Sequence, residues 1–461
     1  MTDELIVTVS GVRGTIGSSL TPSVAREFGC AFATMLGAGS TVTIARDTRP
    51  SGPEIQQAVT DGLLATGLSV IDLGVVTTPG AALMTNLLAA AGGVVITASH
   101  NPAAYNGIKF LQPSGPALKA ADAQRLKEIW QSRRFAVPPD AGPARLSTNA
   151  DTHARHVEAV CRVIDEHRIA AKRFTVVLDS INGAGCAVTP MLLNRLGCRL
   201  VHINGQPTGD FAHEPEPIAS NLDDLCRAVR AHQGAVGFAQ DPDADRLVIV
   251  DETGRFIGEE CTLALAVAHV LSHRKGKIAT NLATSRMADD IAAAAGCRVI
   301  RSAIGEANVV QAMLAEGCIL AGEGNGGVID PRVVCVRDSL VAIALTLQYM
   351  TDTGMTVSRL TARLPQYVMV KKKMPCPPGT AGAVVAAVRK AFSDVQGARF
   401  NDVDGLRIDL PDAWLSVRPS NTEPIMRVTA EAKHAARAKK TAEKIADIAK
   451  SVIRDTALGA H

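Results

Sequence analysis

The chain of 461 residues carries a formal net charge of +3, with 47% hydrophobic and 20% charged residues. This length predicts roughly three or four domains, because a single hydrophobic core stops growing well below it. The near-neutral charge gives no support to binding of nucleic acid or of a membrane surface, which requires a concentrated basic face.

The cysteines and the N-terminus predict a cytoplasmic protein. The ten cysteines stand singly, without a Cys-x-x-Cys pair. This spacing argues against a zinc site or a disulfide scaffold and suits a reducing compartment. The opening residues, Met1-Thr2-Asp3-Glu4, are acidic where a signal peptide is basic. No apolar run approaches the roughly 20 residues that span a bilayer.

A repeated pattern predicts three related α/β domains. Residues 41–71, 175–201 and 277–300 each read as a β-branched strand, a polar loop, an Ala/Leu-rich helix, a glycine and a second strand. The roughly 20 residues between the two strands suffice for a right-handed βαβ crossover. Each unit is followed by a third strand, a polar loop and another apolar segment. Ligands bind at such strand ends in open α/β sheets.

The pattern changes after about residue 366. Lys371-Lys372-Lys373 and Pro377-Pro378 read as a linker, and residues 430–454 read as a closing helix. The sequence therefore predicts three related mixed α/β domains and a smaller C-terminal α+β domain around one cleft. The predicted domains are residues 1–147, 148–253, 254–366 and 367–461.

The loop of the second unit has three alternating carboxylates, Asp241, Asp243 and Asp245, which can turn toward one cation. Ligands that are all oxygen favour Mg²⁺ or Ca²⁺ over zinc. An EF-hand competes, since Glu252 stands where that motif has its bidentate Glu. However, Arg246 occupies the position of the turn glycine, and both flanks predict strands. A phosphatase in which Asp241 is the nucleophile is a further alternative.

The loop of the first unit contains Ser99, directly after a predicted buried strand and in a turn marked by Asn101-Pro102. His100 is not expected to act as a triad base, because neighbouring side chains point apart, and no G-x-S-x-G elbow is present. Beside a metal loop, Ser99 can carry a phosphoryl group whose charge the cation offsets.

Other polar loops supply groups that suit a phosphorylated sugar. Arg13 lies in a Gly-rich turn, and Glu323 and Asn325 stand among four glycines. Arginine suits phosphate, and an acceptor with an amide suits sugar hydroxyls. The alternatives are an ordinary ion pair for each arginine and a plain hairpin turn for the glycine-rich loop. A fourth loop has the side-chain and backbone donors for a tetrahedral dianion; its residues are Arg418, Ser420, Asn421 and Thr422.

Together, these loops resemble those of the α-D-phosphohexomutase family, from Ser10 to Glu431. The signatures T-A-S-H-N-P, D-P-D-A-D-R, G-E-x-x-G-x and R-P-S-N-T-E-P occur in the family's order. The resemblance implies a phosphohexomutase that interconverts hexose 6-phosphate and hexose 1-phosphate through a phosphoserine and a bisphosphosugar. We therefore expect a small-molecule hexose phosphate as partner, neither nucleic acid nor membrane, and a monomer or homodimer.

The resemblance also implies roles for individual residues. Ser99 is the phosphoserine, and one of its phosphate oxygens joins the three aspartates in coordinating Mg²⁺. Lys109 and Arg13 match the positions that carry protons to and from the sugar hydroxyls. His100 matches a residue that supports the phosphoserine, and Arg246 one near the metal. A lysine in that role needs a pKa lowered by burial or by cationic neighbours such as Arg13.

The sugar loop departs from the usual family pattern. Bacterial phosphoglucosamine mutases read G-E-Q-S-G-H and phosphomannomutase/phosphoglucomutases read G-E-M-S-G-H, whereas this chain has Gly327 in place of the His. The loop is closer to archaeal-type phosphoglucosamine mutases and related phosphomannomutases. We therefore expect a phosphoglucosamine mutase, with phosphomannomutase/phosphoglucomutase as the alternative. A sugar phosphatase and a non-catalytic sugar-phosphate-binding protein are the rival classes.

Overall fold

The computed structural model describes residues 4–136, 144–377, 379–420 and 424–458. Four β-sheets and their helices account for the regular structure of these residues. Within the same ranges, no helix combines the length and the apolar character needed to cross a membrane.

The first sheet contains seven strands and is accompanied by four helices. The strands are β1 (Ile6–Thr8), β2 (Gly11–Thr15), β3 (Thr41–Arg46), β4 (Ser69–Val75), β5 (Gly92–Ile96), β6 (Tyr105–Leu111) and β7 (Leu146–Thr148). The helices are α1 (Pro22–Leu36), α2 (Gly52–Ala65), α3 (Thr78–Leu87) and α4 (Ala120–Ser132). Helix α1 begins where the Thr21 side chain accepts a hydrogen bond from the Val24 N–H, with Pro22 in the first turn. Helices α1 and α2 touch backbone to backbone at Gly62, where a Cβ atom would collide with the Arg26 carbonyl.

The second and third sheets each contain four strands. The second region comprises α5 (Thr152–Cys161), α6 (Glu166–Lys172), β8 (Thr175–Asp179), α7 (Gly185–Arg195), β9 (Arg199–Ile203), a 3₁₀-helix (Ala219–Asn221), α8 (Asp223–Ala231), β10 (Val236–Gln240) and β11 (Leu247–Val250). The third comprises α9 (Glu259–His273), β12 (Ile278–Asn281), α10 (Met287–Ala294), β13 (Val299–Ser302), α11 (Glu306–Glu316), β14 (Leu320–Glu323), β15 (Gly327–Ile329), α12 (Ser339–Thr353) and α13 (Val357–Ala362).

The predicted repeat is confirmed by the strand pairing. In the three sheets β3, β8 and β12 are central, and each pairs in parallel with the next strand along the chain and with the third strand of its unit. The third strand then pairs antiparallel with the fourth. The serine, aspartate and glycine-rich loops each join the third strand to the fourth. They therefore occupy one topological position in three copies of the same unit.

The fourth region is an antiparallel sheet with helices. It comprises β16 (Val368–Pro375), α14 (Ala381–Phe392), β17 (Arg399–Asn401), β18 (Leu406–Asp409), β19 (Ala413–Pro419), β20 (Ile425–Ala432) and α15 (Ala435–Leu458). The strand order is β16-β20-β19-β18-β17. Helix α15 buries Ala438, Ala442, Ile445 and Ala449, whose spacing forms one apolar helix face. The predicted α+β class is confirmed.

Two sequence predictions in this region are wrong. The three lysines at 371–373 lie within strand β16, paired with β20, and are not a linker. Charged side chains are common on edge strands, because they discourage pairing with another chain. The closing helix begins at Ala435, since residues 430–432 belong to β20.

Buried apolar side chains divide the protein into unequal parts. The largest core cluster contains side chains of the first three regions, from Ala45 in β3 to Leu364 after α13. The fourth region has a core of its own, from Met374 to Ala449. Arg407 joins these parts: it is fully buried, donates to the Leu282 carbonyl at 2.6 Å and stacks on Trp414.

Candidate active site

The serine loop begins at the end of β5 and has an unusual backbone at Ser99. The φ angle of Ser99 is +49°, in the left-handed region that non-glycine residues seldom adopt. The Ser99 N–H donates to Thr97 Oγ1 at 2.9 Å, and the residue is 1% exposed. The Ser99 hydroxyl donates to Asp241 Oδ2 at 2.8 Å. The nucleophile-like serine of the first unit thus contacts the carboxylate loop of the second.

Arg49 holds the backbone of the serine loop through hydrogen bonds to its carbonyl groups. Its buried guanidinium donates to the Ser99 and Asn101 carbonyls at 2.7 Å each, and to the Pro102 and Tyr105 carbonyls at 2.9 Å each. Its Nε lies 3.2 Å from Asp47 Oδ2 in a fully buried ion pair. Burial raises the pKa of Asp47, while Arg49 opposes this rise. The backbone of the loop is therefore fixed by one side chain.

The aspartate loop turns sharply at Ala244, where φ is +55°. The N–H groups of Asp245 and Arg246 both donate to Asp241 Oδ1 at 3.1 Å. Asp243 Oδ2 accepts from Thr78 Oγ1 and from Lys109 Nζ, each at 2.6 Å. The three carboxylates consequently face one another, and each offers an oxygen within 4.8 Å of the others.

The aspartate cluster fits a hard cation. Asp243 Oδ1 and Asp245 Oδ1 are buried and have no hydrogen-bond partner among the described residues. Buried carboxylate oxygens without a partner are unfavourable, and metal coordination satisfies them. Burial and the charges of Asp245 and Asp243 raise the pKa of Asp241 well above its ordinary value. Burial also acts to raise the pKa of Asp245, but Arg337, Lys109 and Arg246 outweigh it and lower that pKa.

Lys109 lies between Asp243 and Asp245, at 2.6 and 3.3 Å. The expectation of a lowered lysine pKa is wrong. Burial does act to lower the pKa of Lys109, but the two aspartates outweigh it and raise the pKa above its ordinary value.

His100 and Arg13 lie beside the same loop. The His100 Nδ1 is 3.4 Å from Ser99 Oγ, so the expectation that these side chains point apart is wrong. Side chains alternate in extended backbone, and the left-handed conformation of Ser99 removes that alternation. Burial, followed by the charges of Arg246 and Arg13, lowers the pKa of His100 to about 2, which leaves the ring neutral at pH 7. Arg13 Nη1 donates to Asn101 Oδ1 at 3.3 Å. Burial and the charge of Arg246 lower its pKa.

Arg246, the arginine of the aspartate loop, has a buried Nε without a hydrogen-bond partner among the described residues. This atom lies 3.8 Å from Asp245 Oδ1, at ion-pair distance. Arg246 therefore adds a positive charge to the cluster of Ser99 and the three aspartates.

The glycine-rich loop of the third unit joins this cluster. The Leu247 N–H donates to the Gly326 carbonyl at 3.0 Å, which links the second and third units. Glu323 Oε1 accepts from Asn281 Nδ2 and Oε2 from Arg337 Nη1, each at 2.7 Å. Asn325 Oδ1 accepts from the Gly327 N–H at 3.3 Å. Both predicted sugar-loop residues thus lie in an ordered turn.

The loop of the fourth region is described only in part. Arg418 Nη1 lies 3.5 Å from Asp404 Oδ2, and the same oxygen accepts from the Ile304 N–H at 3.0 Å. The Ser420 N–H donates to the Ile425 carbonyl at 2.8 Å. Asn421 and Thr422 lie outside the described residues. The structure thus places Arg418 and Ser420 in the fourth region, next to the third.

Sequence reasoning missed Arg49, Thr78 and Arg337, which hold the serine and aspartate loops. Thr78 opens α3 and contacts Asp243 through both its N–H, 3.0 Å from the Asp243 carbonyl, and its hydroxyl. A signal was present for Arg49, because Asp47-Thr48-Arg49 follows β3, which is adjacent to β5 in the sheet. No motif marks Arg337.

Three related α/β units, a smaller fourth region and a buried serine against a carboxylate triad define a phosphoryl-transfer enzyme. Four sequence profiles described as "Phosphoglucomutase/phosphomannomutase" match in order. They are alpha/beta/alpha domains I, II and III and the C-terminal domain, at residues 5–137, 152–254, 259–367 and 368–448.

Individual relatives agree with these profiles. A probable phosphoglucosamine mutase of Methanopyrus kandleri is 36% identical over 97% of this chain and 98% of its own. A phosphoglucomutase/phosphomannomutase of Thermococcus kodakarensis is 39% identical over 94% and 96%. A family protein from Burkholderia thailandensis superimposes with a TM-score of 0.86 at 28% identity, covering 97% of each chain. The chain belongs to the phosphoglucomutase/phosphomannomutase family, whose members are intramolecular phosphotransferases. The predicted resemblance is confirmed.

Proposed function

We propose that this phosphohexomutase interconverts hexose 6-phosphate and hexose 1-phosphate through phosphorylated Ser99. The observation that carries the proposal is the 2.8 Å contact between Ser99 Oγ and Asp241 Oδ2. A phosphoryl group on Ser99 passes to the unphosphorylated sugar oxygen, whose proton leaves, and the serine hydroxyl is restored. The resulting bisphosphosugar turns over and returns its other phosphoryl group to Ser99.

Asp241, Asp243 and Asp245 are the proposed Mg²⁺ ligands, together with a phosphoserine oxygen. The bound ion would offset the negative charge of the transferring phosphoryl oxygens. Lys109 and Arg13 are the proposed proton carriers, since both lie within the charged cluster around Ser99. A cation held by Asp243 and Asp245 would oppose the two charges that raise the pKa of Lys109. His100 supports the phosphoserine as a neutral ring within reach of Ser99 Oγ.

Substrate binding is assigned to the remaining loops. Each Glu323 oxygen has one hydrogen-bond donor among the described residues. A carboxylate has about four lone-pair sites, so about two stay available for sugar hydroxyls. Asn325 contributes an amide, and Arg246 adds positive charge near the metal loop. The non-transferring phosphate is assigned to the fourth loop, at Arg418, Ser420, Asn421 and Thr422.

Glucosamine phosphate is the proposed principal substrate, with mannose or glucose phosphate as the alternative. Relatives named for each activity match nearly the whole chain, which supports both. We further propose a cytoplasmic monomer or homodimer. Its four domains are proposed to end at residues 147, 253, 366 and 461, a division that the four matched profiles support.

The test incubates purified protein and Mg²⁺ with glucosamine, mannose or glucose 6-phosphate in separate reactions. A mutase yields the 1-phosphate isomer, a phosphatase releases inorganic phosphate, and a binding protein does neither. A trace of the matching bisphosphosugar should activate unphosphorylated protein. Ser99→Ala should abolish turnover. Ser132→Ala, at an exposed position at the end of α4, should retain it. Full activity of Ser99→Ala would overturn the phosphoserine.

A further inference from the structure

The backbone conformation of Gly327 does not explain why this residue is a glycine. Its φ angle lies outside the left-handed region, so the backbone tolerates a side chain. A Cβ atom at this position would nevertheless lie 2.8 Å from Arg337 Cγ and closer still to Arg337 Cδ, with Asn325 Oδ1 the next atom at 3.1 Å. The space that a side chain at position 327 would fill is therefore occupied by Arg337.

Arg337 contacts three carboxylates from this position, in the aspartate loop, at the start of α11 and at the end of β14. Its Nη2 donates to Asp245 Oδ2 at 2.6 Å and its Nη1 to Glu323 Oε2 at 2.7 Å. Its Nε lies 2.8 Å from Glu306 Oε2 in an ion pair. The side chain is 11% exposed, and the charges of Asp245, Glu306 and Glu323 overcome burial and raise its pKa well above the ordinary value. One permanent cation thus balances three carboxylates from the second and third regions, of which Asp245 and Glu323 are buried and Glu306 is partly exposed.

The backbone of Arg337 is itself fixed. Asp338, the next residue, caps α12 by accepting from the Leu340 N–H at 2.9 Å, and its own N–H donates to the Val328 carbonyl at 2.8 Å. The guanidinium therefore extends from a rigid helix start. A guanidinium held in this way is better suited to orienting neighbouring side chains than to contacting a substrate that moves.

We infer that Arg337 is a positioning residue that sets Glu323 relative to the aspartate loop, and that position 327 is glycine because Arg337 fills its space. The inference rests on the proposed function and deepens it. Without Arg337, Glu323 keeps a single donor, Asn281, and is free to rotate away from the sugar hydroxyls. With a side chain at 327, Arg337 must move, and all three carboxylates lose their common partner.

The test is a double-mutant cycle of Gly327→Ala and Arg337→Ala. Gly327→Ala in the wild type should lower kcat/KM roughly 10- to 100-fold, because small displacements of positioning groups have effects of that size. Much of the loss should be a higher KM, since Glu323 binds substrate. In the Arg337→Ala background, which lacks Cγ and Cδ, Gly327→Ala should change kcat/KM less than about threefold. Independent, additive effects would overturn the inference.

Arg337→Lys provides a contrasting background. Lysine keeps the stem that Cβ would strike, so Gly327→Ala should still be damaging there. Arg298→Ala is the control, because Arg298 is exposed and its neighbour Glu316, at 3.9 Å, is outside the site. This control should leave kcat and KM near the wild-type values.

Thermal unfolding of the same variants provides a readout that does not depend on activity. Gly327→Ala should lower Tm by roughly 2–8 °C in the wild type and much less with Arg337→Ala. If no hexose phosphate is isomerised by the wild type, the proposed function fails while this cycle still tests the packing. If Arg337→Ala does not fold, a crystal structure of Gly327→Ala decides. Arg337 still bonded to Asp245 and Glu323 would refute the inference.

Discussion

Replacement of Arg49 by methionine tests whether the serine loop depends on one buried cation. The substitution keeps most of the side-chain volume but removes the donors to four carbonyls and the partner of Asp47. Removing one member of a buried ion pair destabilises a protein by about 3–5 kcal/mol, because the other charge is left uncompensated. The Ser99 backbone also loses its anchor, and a displacement of about 1 Å at a reacting group lowers kcat by about 100-fold.

A second variant separates stability from positioning. Arg49→Met combined with Asp47→Asn removes the uncompensated charge, so the stability should recover in part while kcat stays low. Urea unfolding and steady-state kinetics measure the two effects, and Arg125→Met at an exposed position of α4 is the control. Recovery of kcat together with stability in the double variant would refute the positioning argument. So would a kcat of Arg49→Met within about threefold of the wild type.

Three further variants test other parts of the site and its surroundings. Burial raises the pKa of Glu260 to about 8 against the opposing Ser285 N–H and Lys371, so the folded state holds an extra proton at neutral pH. The free energy of unfolding should fall as the pH rises from about 4.5 to 8. Glu260→Gln should flatten this dependence. Identical pH profiles of Tm for the wild type and Glu260→Gln would contradict the raised pKa of Glu260. Asp243→Asn should lose most of the rate while leaving the fold intact, and EDTA should inactivate the wild type until Mg²⁺ is restored; activity that survives excess EDTA would exclude the metal. Arg418→Ala should raise KM roughly 10- to 150-fold for both the 1-phosphate and the 6-phosphate, since a charge-assisted bond is lost, and unchanged constants in both directions would make it a structural ion-pair residue.

The sequence was sufficient for the fold and for the loops that carry recognisable motifs. Strand spacing and the position of each polar loop predicted the three repeats, because these features are local. Arg337 could not be found in this way, and Arg49 was marked only by its position in the loop after β3. Their partners lie 50 and 92 residues away, at Ser99 and Asp245. Only tertiary packing brings these residues together.

The pKa of Lys109, the side-chain direction of His100 and the structure of residues 371–373 also differ from the sequence predictions. The raised pKa of Lys109 arises from two aspartates 134 and 136 residues distant. The contact between Ser99 and His100 arises from the left-handed backbone of Ser99. Serine as a residue type does not predict that conformation. At 371–373 the lysines read as a linker, yet their backbone pairs with β20. In each case long-range structure outweighs the local preference.

The order of the contacting residues along the chain has a consequence for biosynthesis. Ser99 is synthesised 142 residues before its partner Asp241, and Arg337 follows Asp245 by a further 92 residues. A ribosome that has released only the first two α/β units presents the serine and the triad without Arg337, which donates to Asp245, and without Glu323, the proposed sugar ligand. A nascent or prematurely terminated chain of that length therefore lacks a complete catalytic centre. The catalytic centre can be complete only after Arg337, just before α12, has been synthesised.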